Sequence, residues 1–551
     1  LTDSLYHWQH AHDLAQLLCR ESTLPGHKKA IGVACWGMGR TLEDMGGMEN
    51  QYKALELFQK DLAIMEEVAR EEPDWQEVRW DMGIAHSRIA IACQNLGEPG
   101  DYEQIFQDPA EVERRRTSGE PGNFRRAIRH YGLWQKIMEK LAEEGRENAE
   151  EEVAYSHFLQ GQLLLLMALK AEKEWQEAAP GEEGASESSD VQDNETASLM
   201  MWTAEIVEDS LKQSREHLEA CIDMYRRPDC CTNITEALRQ ERLSQSYDAL
   251  EYGLRYLIAL LYHDGDAQED LETEEGYRAA LSCYEREAKL EQRLMELHPD
   301  LEHRDALAMT YYRLSGVAKA IGGAYLEAAL KWNALDLEES LVLYEEEPTA
   351  QRARNLATSW LRRARIYGQF HDDGYLPQIL ECNRKEYEYK NIAWVPSEEE
   401  KYTQRLSDAA YRVAKNLRKL GGAERLEEAL RYNERDVELA ELLLSGVTVA
   451  ESGEKAMPDG QGDELEKKVL SVAEMEKRRG NLAVSLKLRH QILMDLFAQT
   501  GGEEYRVCAL AACERALKLR TANAEANPSE KNLEKLETAK KELVEIQLSG
   551  V

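Results

Sequence analysis

YRAALSCYEREAKLEQRLMELHPDLEHRDALAMTYYRLSGVAKAIGG, the stretch from Tyr277 to Gly323, decides the fold. Apolar and aromatic residues stand at positions 277, 280, 281, 284 and 288, one stripe of an amphipathic helix that continues to Leu297. Pro299 breaks it, because proline has no amide hydrogen and clashes with the preceding turn. A second helix is expected from His303 to Ile321, stopped by Gly322-Gly323 acting as a C-terminal cap. The next unit repeats the pattern, with Tyr325 to Glu346, then Pro348, then Arg354 to Phe370. Pro73 plays the same part before Arg79, and Gly-Gly stops recur at Gly46-Gly47, Gly421-Gly422 and Gly501-Gly502.

Several markers keep one beat. Ring-bearing residues at Trp36, His86, Tyr311, Trp360 and Tyr411 are separated by 50, 225, 49 and 51 residues. An Ala-Leu type of pair recurs at Ala54-Leu55, Ala127-Ile128, Ala280-Leu281, Ala329-Leu330, Ile379-Leu380 and Ala429-Leu430. Arg304, Arg354 and Arg405 form a third comb, with Arg79 at the equivalent earlier place. Tandem repetition of this kind settles the architecture before single residues are weighed. A helical hairpin cannot bury both its faces alone, so stacked neighbours share a core. The expected fold is all-α, a right-handed α-solenoid of about nine hairpins with a concave side. N-terminal hairpins are expected over 1–176 with a loop insertion at 98–123, and central hairpins over 199–445. Between them, 177–198 is acidic and lacks apolar periodicity, which reads as disorder. A Gly-rich linker over 446–464 leads to C-terminal hairpins and a capping helix over 465–551.

Composition narrows the function class. At 551 residues the chain exceeds one compact core. A net charge of -36 argues against wholesale binding to nucleic acid or to an anionic membrane. The apolar run from Leu163 to Leu169 is far short of a membrane span, and Leu1 to His10 is no secretory signal. A start on Leu1 instead of Met reads as a fragment or a processed product. Ten cysteines without a CxxC pair read as free thiols in a reducing cytoplasm, and adjacent Cys230-Cys231 cannot form an ordinary disulfide.

Two sets of residues carry a family resemblance. One is Tyr311 with Leu314-Ser315, Ala280-Leu281 with Tyr284, and Pro299; the other is Trp36 with Gly39, Ala54-Leu55 with Phe58, and Pro73. This pattern resembles the tetratricopeptide repeat (TPR) over nearly the whole chain, though the 50-residue beat exceeds the usual 34. Glu72-Pro-Asp-Trp-Gln-Glu-Val-Arg79 resembles long-period bacterial arrays of that superfamily, which are often joined to signalling or defence effector modules. The resemblance implies that the second helix of each hairpin here lines the concave groove. It places Tyr312, Lys319, Arg365, Gln369, Arg412, Asn416 and Lys419 at groove-facing positions.

Charge follows the same beat. Segment 304–323 carries three basic residues against one acid, 354–371 four against none, and 405–420 five against one. The partner helix, 325–347, carries seven acids against one lysine. A groove so lined attracts an acidic peptide segment or another anionic ligand, unless its cations pair with neighbouring acids. A second ladder is Asn333, Asn383 and Asn433, each followed three residues later by Asp336, Glu386 or Asp436; Asp61 and Glu287 keep the acid without the Asn. Asn and acid share one helical face, a pattern expected to make polar contacts between hairpins, with Arg354 and Arg405 in reach of the acids. The repeated aromatics are expected to pack in the core.

Catalytic signatures are absent. There is no Gly-rich phosphate loop ahead of Lys-Ser/Thr, no HExxH and no GxSxG, and His7 with His10 makes a poor metal pair. The expected function is a non-enzymatic scaffold or sensor in the cytoplasm that binds a protein or peptide, without cofactor or metal. Oligomers are compatible with it. The alternatives are an architectural self-assembling subunit and a non-catalytic regulatory subunit of an enzyme complex.

Overall fold

The computed structural model describes residues 1–97, 123–178, 190–395, 400–445 and 472–548. Among the described residues there is no strand, and eighteen α-helices follow one another. They are α1 Thr2–Glu21, α2 Pro25–Met45, α3 Met48–Glu71, α4 Gln76–Leu96, α5 Asn123–Glu143, α6 Ala149–Ala178, α7 Asp190–Arg226, α8 Glu236–Glu269 and α9 Glu274–Leu297. The second half holds α10 Leu301–Ile321, α11 Leu326–Glu346, α12 Ala350–Gly368, α13 Leu376–Ile392, α14 Glu400–Leu420, α15 Ala423–Ser445, α16 Val472–Thr500, α17 Glu503–Ala526 and α18 Glu530–Leu548. The chain is an all-α helical-repeat solenoid. The beat is visible in the starts of α10, α12 and α14, at Leu301, Ala350 and Glu400.

Contacts divide the chain into two compact units, Leu1–Leu260 and Leu261–Val551. The division falls inside α8, at a place the sequence segmentation does not mark. Within the first unit each helix from α1 to α7 packs on the next, and within the second the same holds from α9 to α18. The loop expected over 98–123 lies outside the described residues up to Asn123, and the linker over 446–464 lies outside them entirely. The acidic stretch 177–198 is partly corrected: α6 runs through Ala178 and α7 begins at Asp190, while 179–189 lie outside the described residues.

The punctuation works locally as the sequence demands. Asp300, just after Pro299, caps α10 by accepting from the His303 amide at 2.9 Å. Gly322 ends that helix with φ +73°, a conformation that costs a residue with a Cβ and costs glycine nothing. The core of this hairpin joins Ala280, Leu281, Tyr284 and Ala288 of α9 to Leu307, Tyr311, Leu314 and Ala318 of α10. Tyr311 is buried with its hydroxyl accepting from Gln292 Nε2 at 2.7 Å, so the amphipathic ring satisfies both its ends. Trp36, Trp360 and Tyr411 are only half-buried, so the aromatic comb is less uniformly a core feature than the repeat pattern implies. No described helix is long and apolar enough to cross a membrane.

Candidate functional site

The Asn and acid ladder is a deeply buried polar feature of the second unit. Asn333, Asn433, Asp336, Glu386 and Asp436 are each almost wholly enclosed. Groups of this kind are tolerated inside only when they find partners. Asn333 Nδ2 donates to the Ser359 carbonyl at 3.0 Å and Asn433 Nδ2 to the Ser485 carbonyl at 2.9 Å, each bond reaching the following helix. Thr310 donates to Glu287 at 2.9 Å, with the Arg313 guanidinium 3.3 Å from the same carboxylate. Ser407 donates to Asp436 at 2.6 Å, and Ser340 to Asp336 at 3.2 Å. The ladder links successive helices by polar contacts.

At Glu386 the link is ionic and opens a site. Lys390 on the same helix and Arg412 on α14 both reach its carboxylate at 2.6 Å. Their far sides border a cavity of about 370 Å³. Arg354 and Arg365 of α12, Lys390 of α13, and Arg405 and Arg412 of α14 line it, with Asp408 as the one acid among the described lining residues. Trp394 and Tyr402 supply aromatic wall. The Trp394 indole is fixed by a 3.0 Å bond from its Nε1 to Thr403 Oγ1. The Arg354 guanidinium lies 3.8 Å from the Tyr402 ring centroid, a stacking contact that Arg405 shares at 5.9 Å.

The fields of these cations are felt nearby. Burial first, then Glu386 in the opposite sense, act on Lys390, and the net effect is to lower its ammonium pKa. Lys319 is likewise lowered, first by burial and then by Arg362 and Arg365. Among the described residues Arg365 and Arg405 make no ion pair, and both are exposed. Cations crowded into a partly closed space, with fewer acids than cations among the described residues, are stabilised by an incoming anion.

The residues expected from sequence are distributed unevenly around this site. Arg365 and Arg412 meet in the cavity, and Lys319 lies within the field of Arg365. Tyr312 sits one repeat earlier, beneath the Arg362 guanidinium at 4.0 Å, and borders a smaller cavity with Asp336. Gln369 caps the C-terminal end of α12, while half-buried Asn416 and exposed Lys419 line none of these cavities. Lys390, Trp394 and Tyr402 were missed. Arg354 and Arg405 were visible as a comb but were expected to serve the buried acids; Arg412 and Arg313 do that instead. Among the described residues no group of three or more His, Cys, Asp or Glu side chains is placed to hold a metal ion.

No family model matches the chain, and no curated protein matches it. Solved structures do. Yeast Tom70 is 11% identical, with 98% of this chain and 96% of that one covered and a TM-score of 0.24. The S. pombe nuclear import adaptor Nro1 is 10% identical, covering 70% of this chain and 99% of that one, at a TM-score of 0.27. A circular tandem repeat protein is 15% identical over 100% of this chain and 98% of that one, at 0.20. The helical-repeat reading itself rests on the helices and the period of this chain.

Proposed function

We propose that this chain is a non-enzymatic interaction module of the tetratricopeptide type, which takes an acidic segment of a partner protein at the cavity between α12, α13 and α14. By the resemblance of its long repeat to bacterial arrays, it serves as the sensing or scaffolding part of a larger cytoplasmic signalling or defence protein. The observation that carries the reading is the convergence of Arg354, Arg365, Lys390, Arg405 and Arg412 on one cavity of a protein with net charge -36. Glu386 answers Lys390 and Arg412, while exposed Arg365 and Arg405 make no ion pair among the described residues, and an acidic ligand would relieve the mutual repulsion there.

The test is capture of a fluorescent Glu/Asp-rich peptide, read by anisotropy against a Lys-rich peptide of equal length. The variant with Arg365→Ala and Arg405→Ala should bind the acidic peptide about tenfold more weakly, and added salt should weaken the parent in the same way. Both positions are exposed, so the fold should be unaffected. Equal binding by parent and variant would refute the reading.

A further inference from the structure

We propose that the half-open cavity between α2, α3 and α4 is a binding site for a small organic ammonium, which Asp61 holds against the indoles of Trp36 and Trp80. The cavity measures about 400 Å³ and lies wholly within the first unit. That volume falls in the range of ordinary small-molecule sites.

Comparison of repeats within the chain carries the argument. Glu287, Asp336, Glu386 and Asp436 are each answered by a protein donor, as described above. Asp61, at the same rung and 2% exposed, is not: its buried Oδ1 has no hydrogen-bond partner, whereas Glu287 and Asp436 leave one oxygen unpaired but have the other held by a hydroxyl. The reason lies in the substitutions around it. Asp61, Met65, Trp80 and Ile84 border this cavity, and Asp336, Ser340, Asn355 and Ser359 border its counterpart, each pair at one constant offset in sequence. Where the later repeat places hydroxyls and an amide, this one places a thioether, an indole and an alkyl group. Gly32 makes the room, because a Cβ there would come within 2.7 Å of both Asp61 Oδ1 and the Met65 methyl. Trp36 Nε1 is a second buried polar atom without a partner.

The chemistry selects a cation. An unpaired enclosed carboxyl is satisfied by a donor from outside, and a positive donor gains most. Asp81, also on the wall, adds negative potential at Asp61, although Lys29 compensates it at 2.9 Å. Two indoles add electron-rich surface that attracts ammonium groups, although the Arg146 guanidinium already lies 5.3 Å from the Trp80 ring and occupies one of its faces. Arg88 is the opposing charge in the lining, and its guanidinium is compensated by the Glu43 carboxylate at 3.9 Å. Burial, then Asp81, lifts the empty Asp61 carboxyl to about 8, so an arriving ammonium displaces its proton to the solvent.

The experiment is calorimetric titration of the full chain with phenethylamine, 2-phenylethanol and 3-phenylpropanoate, which share a ring and differ in charge. The amine should bind with a dissociation constant of about 1 mM or tighter, and the alcohol and the carboxylate at least about tenfold more weakly. The heat of amine binding at neutral pH should vary with the ionisation enthalpy of the buffer, reporting the released proton. Asp61→Asn, which keeps the shape and removes the charge, should weaken the amine about tenfold and abolish the buffer dependence. Trp80→Leu should weaken the amine without changing the proton count. Equal affinity for amine and alcohol, full affinity in Asp61→Asn, or no amine heat at all from the folded parent would each overturn the proposal.

Discussion

Replacing Asp436 by Asn should stabilise the second unit at alkaline pH and not at acid pH. Asp436 is 1% exposed, and burial lifts its carboxyl from 3.8 to about 6 despite the bonds from Ser407 and Ser485 that pull the other way. A group whose folded pKa is raised contributes stability that is complete below 3.8 and is lost as pH rises through about 6. The loss is about 3 kcal/mol at most by pH 8, from about 1.4 kcal/mol for each tenfold change in proton affinity. Asn keeps an oxygen to accept from Ser407, whose hydroxyl lies 2.6 Å from Oδ1, and it never ionises. Some of the gain is returned because a neutral acceptor makes a weaker bond, so the net should be about 1–2 kcal/mol at pH 8. Thermal unfolding followed by circular dichroism would then show Asp436→Asn melting a few degrees above the parent at pH 8, with the gap closed by about pH 5. A variant that melts lower at both values, or that shows no change in the gap with pH, would refute the reasoning.

Other perturbations probe other contacts. Arg412→Ala strands the fully buried Glu386 with only Lys390 and should cost about 3–5 kcal/mol, much of it restored by adding Glu386→Gln; urea midpoints of the two variants decide this. Gly39→Ala would put a Cβ 2.6 Å from the ring of Phe58, which is fully enclosed, and should cost about 1–3 kcal/mol by the same measurement. His157 and His217 share a 2.9 Å contact between their Nδ1 atoms, and burial lowers both, His157 to about 4. Their stability contribution is present above 6.5 and lost as pH falls from 6.5 toward about 4, so replacing both by Asn should reduce the acid sensitivity of the melting temperature.

The hairpins were legible because their determinants are local. Pro299 and Gly322 act within one turn of the chain, and the stripe through Ala280 and Tyr284 states which face is buried. The sorting of charge was legible for the same reason, since it needs only a count along each helix. Partner choice was not. Arg405 and Arg412 lie two turns apart on nearly the same side of α14, so which of them meets Glu386 depends on how far α14 is slid along α13, and a shift of two turns exchanges the two answers. Lys390, Trp394 and Tyr402 carry no mark of the repeat, and their place on the cavity follows from how the end of α13 and the start of α14 pack beside α12. The groove positions borrowed from the repeat family located Arg365 and Arg412 but could not tell that Gln369 and Lys419 lie off the cavity.

The Asn333 and Asn433 bonds have a consequence for how such a chain can grow. Each amide grips a main-chain oxygen, which every residue possesses, and each grip spans the junction between one helix and its successor. The fastening therefore asks nothing of the sequence on the receiving side. A duplicated hairpin inserted between such junctions would arrive with its own fastening and find an acceptor already waiting. Insertion of a single residue into either helix would swing the amide away from its carbonyl by about 100°. Lengthening by whole repeats is thus nearly free of penalty, while slippage within one is resisted, so the array's length can drift over evolutionary time without its beat being lost.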